Sequence, residues 1–545
     1  MLIALSCNEA NHPALILESL DIKNDVLCFC GRIIPSCPQY DFAIEGRDAV
    51  YRATTTCCGG AFDEFRVEVL ASEEIGGVLR FFLLRDGNRC SVNLESGKFC
   101  PVTFLRFDWT RIGNIELHTV GKRRDCIGVG IPGFRQLVLR ELLFELNIAL
   151  GRTQSRTALR CRRDLLLRDY LSRKEDNQIW LISDRPMMGG DNGEALFRYL
   201  SSNPINGVET YFVLRSDSPD YEKLSALGNV VQYGSKKHIR LQNRAAFVIS
   251  SAADEFVINR FGSLRYVLKS VGGARFVFLQ HGVTKDDMSG WLNRWNKNIS
   301  LFVTASEREK QSITQNPMYG YSCKEVKLTG FPRHDLLLNE AKRHVAEKKI
   351  LIAPTWRSNI AGKTITGKGT RAENPDFENS DYYCFYQTLI NNQLLISAAE
   401  KMGFSITFLI HPAFAQESHK FTSSYVHIKD SYDYRFEFVT SSVLLTDYSS
   451  VAFDFALLGK PIIYAQCDFD AFYREHSWER GYFDYQSDGF GEIVCSLEET
   501  VDALIRYMES PTMPKLYKDR VDSFFFRPEG GSSCELVTQC IKMLD

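Results

Sequence analysis

The chain has 545 residues, 44% of them hydrophobic and 24% charged, with a formal net charge of −2. That length excludes a single hydrophobic core and predicts several domains, and the near-neutral balance excludes a global attraction to nucleic acid. No uninterrupted apolar run reaches the roughly 18 residues that cross a bilayer.

Met1-Leu2-Ile3-Ala4-Leu5-Ser6-Cys7 superficially matches a lipoprotein cleavage box. It lacks a basic n-region and an adequate apolar h-region, so a cytoplasmic chain is expected. The 16 cysteines include Cys28-Phe29-Cys30 and Cys57-Cys58, spaced too closely for usual zinc pairs, and no Cys-x-x-Cys occurs. Reduced, partly buried thiols are expected, with no metal site and no cofactor.

Residues 1–125 predict a β-rich accessory domain, a small sandwich for docking or support. Phe65-Arg66-Val67-Glu68-Val69 alternates with period two, Val78 to Leu84 is a second strand, and Asp86-Gly87-Asn88 is a turn before Ser91-Val92-Asn93-Leu94. Residues 126–174 predict helix, because Phe134, Leu137, Val138, Leu142 and Leu146 recur at helical spacing and Gly151 separates two helices. Between Arg135 and Lys174 stand ten Lys/Arg against four Asp/Glu. Arg156, Arg160, Arg163 and the Leu165-Leu166-Leu167 run suggest a basic amphipathic surface for anionic lipid headgroups. The alternative is a solvated interdomain helix whose arginines pair with neighbouring domains.

From residue 175 onward strands alternate with helices, the pattern of parallel sheets covered on both faces. One series is Ile179–Ile182, Tyr211–Leu214, Phe247–Ile249 and Phe276–Leu279. A second is Ile350–Ile352, Ile406–Ile410, Val443–Leu445 and Ile462–Tyr464, and the charged stretch Asn339–Lys349 separates the two. The expected class is α/β, with two doubly wound, Rossmann-like domains at 175–345 and 346–545 facing a cleft, and Cys534–Leu544 as a closing helix.

Ligands of such sheets bind beyond the carboxyl ends of the strands. Four strand ends there deliver Gln280-His281-Gly282, Pro354-Thr355-Trp356-Arg357, His411-Pro412 and Thr446-Asp447-Tyr448-Ser449-Ser450. The set suits phosphate. Arg357 can bind phosphate oxygens bidentately, and His411 can donate to a diphosphate. Ser449 and Ser450 sit where strand passes to helix, which favours an anion, although a plain serine helix cap reads the same way. Asp454, one turn on, is placed for a polyol or ribose hydroxyl. His281 suits removal of an acceptor hydroxyl proton, or else serves as a second phosphate ligand, and Gly282 lets a substrate approach closely. Asp468-Phe469-Asp470 has a metal-site spacing but reads as a surface turn. Met187-Met188-Gly189-Gly190-Asp191-Asn192-Gly193 lacks the Lys-Ser/Thr of a P-loop and reads as a flexible loop touching the acceptor.

Gln280-His281-Gly282-Val283, Lys285-Asp286-Asp287, Thr329-Gly330-Phe331-Pro332-Arg333-His334-Asp335, Pro354-Thr355-Trp356-Arg357, His411-Pro412 and Thr446-Asp447-Tyr448-Ser449-Ser450 follow in one order. Over roughly 175–540 this resembles the CDP-glycerol glycerophosphotransferase family of teichoic-acid and capsule polyol-phosphate transferases. The resemblance implies a GT-B fold and peripheral attachment to the inner face of the cell membrane. It also implies transfer of glycerol phosphate from CDP-glycerol to a lipid-linked glycan or polyol-phosphate acceptor, releasing CMP. It puts the base on His281, the His-Pro histidine on His411 and the donor-phosphate serines on Ser449 and Ser450, with Arg357 and Asp454 near the donor. Many members read Trp-His-Gly-Thr with a lysine five residues after the histidine; Gln280, Val283 and Lys285 depart from that, which bears on the acceptor and the polyol. A GT-B sugar transferase and a non-catalytic membrane-associated assembly protein are the rival readings.

Overall fold

The computed structural model describes residues 14–150, with interruptions at 35–38, 59–61, 91, 93, 98–99, 101–107, 113–114, 122, 124 and 132, then 162–163, 177–258, 274–363, 371–475 and 479–544. The Met1–Cys7 stretch, Arg156, Arg160 and Leu165–Leu167 lie outside the described residues.

Strands β1 to β12, between Ala14 and Gly130, form two largely antiparallel sheets. Alternation along them buries Leu15, Leu17, Leu27 and Phe29 of one sheet against Phe42, Ile44, Phe81 and Leu117 of the other. Asp86 and Gly87, with φ of 50° and 77°, close the Arg85–Asn88 hairpin, the positive φ pair that suits strand twist. The turn leads into the short strand Asn88–Cys90, and the strand after that begins at Leu94. The helix Phe134–Leu150 lies against this sandwich. Its Glu141 accepts from Trp109 Nε1 at 3.0 Å and from Arg162 Nε at 2.9 Å. Arg162 is 0% exposed and also faces Asp108 at 3.6 Å, while Arg163 pairs with Glu145 and Arg140 with Glu116. Arg140, Arg162 and Arg163 of this segment are therefore tied to protein acids.

Two parallel sheets follow. In the first, β13 (Gln178–Ser183), β14 (Val208–Leu214), β15 (Val230–Gln232), β16 (Ala245–Ser250), β17 (Arg275–Phe278), β18 (Ile299–Thr304) and β19 (Val326–Leu328) lie in the order β15-β14-β13-β16-β17-β18-β19. In the second, β20 (Lys349–Ile352), β21 (Ser405–Leu409), β22 (His427–Lys429), β23 (Val443–Thr446), β24 (Ile462–Ala465) and β25 (Glu492–Val494) lie in the order β22-β21-β20-β23-β24-β25. In each, the strand order reverses beside the first strand, leaving a crevice at the carboxyl edge. Every strand of the two expected series is present. Sequence reading passed over β15, β18, β19, β22 and β25, four of them only three residues long.

One hydrophobic cluster runs through both units, from Val277 and Leu279 to Tyr448, Phe453 and Phe525. The helix Ser533–Lys542 returns to the first unit, burying Cys534, Val537 and Ile541, and Asp335 caps it by accepting from the N–H groups of Ser533 and Cys534 at 3.1 and 2.8 Å. Among the described residues no helix is long and apolar enough to cross a membrane.

Candidate functional site

His281 stands three residues beyond β17. Gln280 enters that turn with φ 65°, a left-handed backbone that an unbranched side chain adopts at a cost. Its buried amide offsets the cost. Nε2 donates to the Val303 carbonyl at 2.8 Å and to Glu309 at 2.9 Å, and Oε1 accepts from Thr284 at 2.5 Å. Burial raises the Glu309 carboxyl to about 7. Held by this anchor, the His281 ring is 65% exposed.

Its Nδ1 is bonded to Asp191, the N-cap of the helix Asn192–Ser202. Burial opposes the Asp191 charge, but His281 and Arg333 hold the carboxyl well below the usual carboxylate range. An ionised Asp191 accepting from Nδ1–H leaves the Nε2 lone pair for a proton from outside. The neighbouring Asp184 at the end of β13 is pushed up to about 7 by burial first and then by Asp191.

Across the cleft, His411 follows β21. Its Nδ1 accepts from Ala413 N–H at 3.1 Å, so the ring proton sits on Nε2. Burial, then Arg185, His281 and Arg371, push its pKa down to about 3. His411 is therefore a neutral donor. It stacks on Trp356 with centroids 6.3 Å apart, and Arg371 covers the other indole contact at 4.9 Å. Arg185 and Arg371 are cations that sequence reading did not single out.

Arg357 takes a different place from the expected phosphate fork. It donates to Asp468 at 2.8 and 3.2 Å, to the Thr355 carbonyl at 2.7 Å, and pairs with Asp447 at 2.9 Å, among the rings of Tyr382, Tyr448 and Phe472. Its donors are spent inside the protein. Asp468, read as a surface turn, is thus the half-buried partner of a buried arginine and also takes the Tyr448 hydroxyl at 2.9 Å. Asp447 is wholly buried and accepts from Thr355 N–H and Tyr448 N–H at 2.8 and 2.6 Å. Thr446 Oγ1 donates to the Ala353 carbonyl at 2.7 Å, stitching β23 to β20. Thr355 Oγ1 is buried with no hydrogen-bond partner among the described residues.

Ser449 and Ser450 remain half-buried at the start of the helix Val451–Leu457, with Ser449 Oγ 3.4 Å from Val451 N–H and no side-chain cap from Ser450. The space beside Gly282, expected to admit substrate, faces Ser450: a Cβ on Gly282 would lie 2.6 Å from the serine Oγ. Asp454, expected at a polyol hydroxyl, instead takes Arg333 at 2.9 and 3.1 Å and His334 at 2.8 Å. The structure thus gathers His281, His411, Gly282, Ser449 and Ser450 at the cleft. It commits Arg357, Asp447, Thr446 and Asp454 to internal bonds.

A histidine held by a largely buried aspartate thus stands opposite a neutral imidazole between the two parallel-sheet units, in a chain whose fold is of the α/β class. The chain belongs to the family of CDP-Glycerol:Poly(glycerophosphate) glycerophosphotransferases, whose match covers residues 165–542. It is 39% identical over 350 residues to the minor teichoic acid biosynthesis protein GgaB of Bacillus subtilis (strain 168), covering 64% of this chain and 38% of that protein. It is 23% identical over 397 residues to the teichoic acid poly(ribitol-phosphate) polymerase of Bacillus spizizenii, covering 67% and 56%. The chain therefore spans between about two fifths and three fifths of these relatives' length. The wall teichoic acid polymerase TagF has a similar fold, with a TM-score of 0.52 and 16% identity over 76% of this chain and 99% of that one.

Proposed function

We propose that this protein transfers glycerol phosphate from CDP-glycerol to a hydroxyl of a lipid-linked or polymeric teichoic-acid-like acceptor and releases CMP. The observation that carries the reading is the Asp191-held His281, exposed toward the cleft and opposed by the neutral His411. The proposed arrangement is GT-B, with the acceptor entering from the first unit and the donor seated on the second.

His281 Nε2 takes the proton of the acceptor hydroxyl as its oxygen attacks the β-phosphorus. The bond from that phosphorus to the bridging oxygen breaks, and CMP departs with the electron pair. His411 Nε2–H, the Ser449 and Ser450 hydroxyls and the cations Arg185 and Arg371 stabilise the diphosphate charge. Positioned donors of this kind supply most of the catalysis in phosphoryl transfer. Residues 1–125 are a supporting module in this reading.

Attachment to the anionic inner face of the membrane is part of the proposal. Leu139, Leu142, Leu146 and Leu150 support it, forming an exposed apolar stripe along the Phe134–Leu150 helix.

A nucleotide-release assay tests the reaction. CDP-glycerol, CDP-ribitol and UDP-sugars are each offered with a panel of lipid-linked glycan acceptors. Acceptor-dependent CMP from CDP-glycerol is expected. UDP release from a sugar donor, or donor binding with no turnover on any acceptor, overturns the reading.

A further inference from the structure

One guanidinium touches both parallel-sheet units and the histidine turn at once. Arg333 opens the helix Pro332–Ala341 of the first unit. Its Nη1 donates to Asp191 at 2.7 Å and to the His281 carbonyl at 2.8 Å. Its Nε and Nη2 form a two-pronged pair with Asp454 of the second unit, on the helix that follows Ser449 and Ser450. The Arg333 N–H donates to Asn192 Oδ1 at 3.0 Å, and the Asn192 amide holds the Leu279 and Gln280 carbonyls at 3.1 and 2.7 Å. Both sides of the His281 turn are therefore fixed through one residue and its neighbour.

We propose that Arg333 is a positioning residue that couples the seating of the donor-side helix to the orientation of the Asp191–His281 pair. The coupling rests on reading His281 as the base. A planar guanidinium has five donors in a rigid fork, so one edge can register Asp454 while the other registers Asp191 and the His281 carbonyl. Displacement of the Val451–Leu457 helix pulls the fork, and the aspartate that sets the imidazole turns with it. A lysine keeps the charge and loses the fork.

The test uses the full chain with substitutions R333K, D454N, the pair together, and H281A. Donor affinity is read by titration and turnover by CMP release. R333K and D454N are each expected to lower kcat by about tenfold or more with donor affinity changed less than about threefold. The double variant should be no worse than the more impaired single variant, because both break one relay and the Asp454 bond to His334 is already lost in D454N. Normal kcat in R333K, additive losses in the double variant, or a loss confined to donor binding overturns the proposal. If R333K fails to fold, unchanged kcat in D454N overturns it equally. An active H281A defeats the base assignment itself, whereas an inactive H281A beside a normal R333K defeats only the coupling.

Discussion

His281 faces the cleft because two neighbours constrain it from opposite sides, Gln280 through the backbone and Asp191 through the ring. His281→Ala should lower turnover by at least about a hundredfold while leaving CDP-glycerol affinity nearly intact, measured by CMP release and titration. Asp191→Asn should fall at least about tenfold, and the double substitution should match His281→Ala, since the pair acts as one unit. His411 offers a pH test. Its pKa falls from 6.5 to about 3 on folding, so between those values the unfolded chain binds a proton that the native chain does not. Stability is therefore lost as pH drops through that window. The melting temperature of His411→Gln should gain on wild type when the buffer is taken from about pH 7 to about pH 5. His281 and His411 were legible as histidines at strand ends. Asp191 was not, because two preceding glycines made its segment read as a loop, although Asp-Asn before an amphipathic helix is a cap signal. Arg357 and Asp468 show the opposite case. Sequence places an arginine at a strand end, but only the fold reveals a carboxylate from the strand-end loop after β24 already paired with it.

At the scale of elements, long apolar strands were readable and short ones were not. β15, β19, β22 and β25 carry three residues each, too few for a period to register. β18 is longer, and its Ile299-Ser300-Leu301-Phe302-Val303-Thr304 run held signal that was passed over. The Phe134–Leu150 helix was expected from its spacing, but its role divides between two surfaces. Arg162 is sealed among Glu141, Asp108 and the Phe144 ring, and Arg162→Ala should destabilise the sandwich–helix unit by about 3–5 kcal/mol in urea titration, because it strands buried acids. On the other face Leu142 and Leu146 are 57% and 56% exposed. Leu142→Asp with Leu146→Asp should abolish sedimentation with anionic vesicles and spare CMP release on a soluble acceptor analogue. Vesicle binding that persists would assign this face to protein packing.

For the whole molecule, the two parallel sheets are joined by specific pairs as well as by shared core. Arg308 grips Asp488 at 2.6 and 2.8 Å, and the Asp287 N–H donates to the Glu479 carbonyl at 2.9 Å. Asp335→Ala should leave the His281 and His411 cluster in place and the Ser532 cap intact while removing the acceptors of the Ser533 and Cys534 N–H groups, so that amides at the start of 533–542 exchange faster with solvent in hydrogen-exchange measurements. The returning helix has a further consequence, for synthesis on the ribosome. The first parallel sheet and its Pro332–Ala341 helix leave the exit tunnel long before Ser533–Lys542 is made, and Leu196, Leu337 and Val537 share one core. The nascent first unit therefore carries an uncovered apolar face while the whole second unit is translated. Chaperone occupancy on stalled chains should peak over that interval and fall once residue 542 has cleared the tunnel.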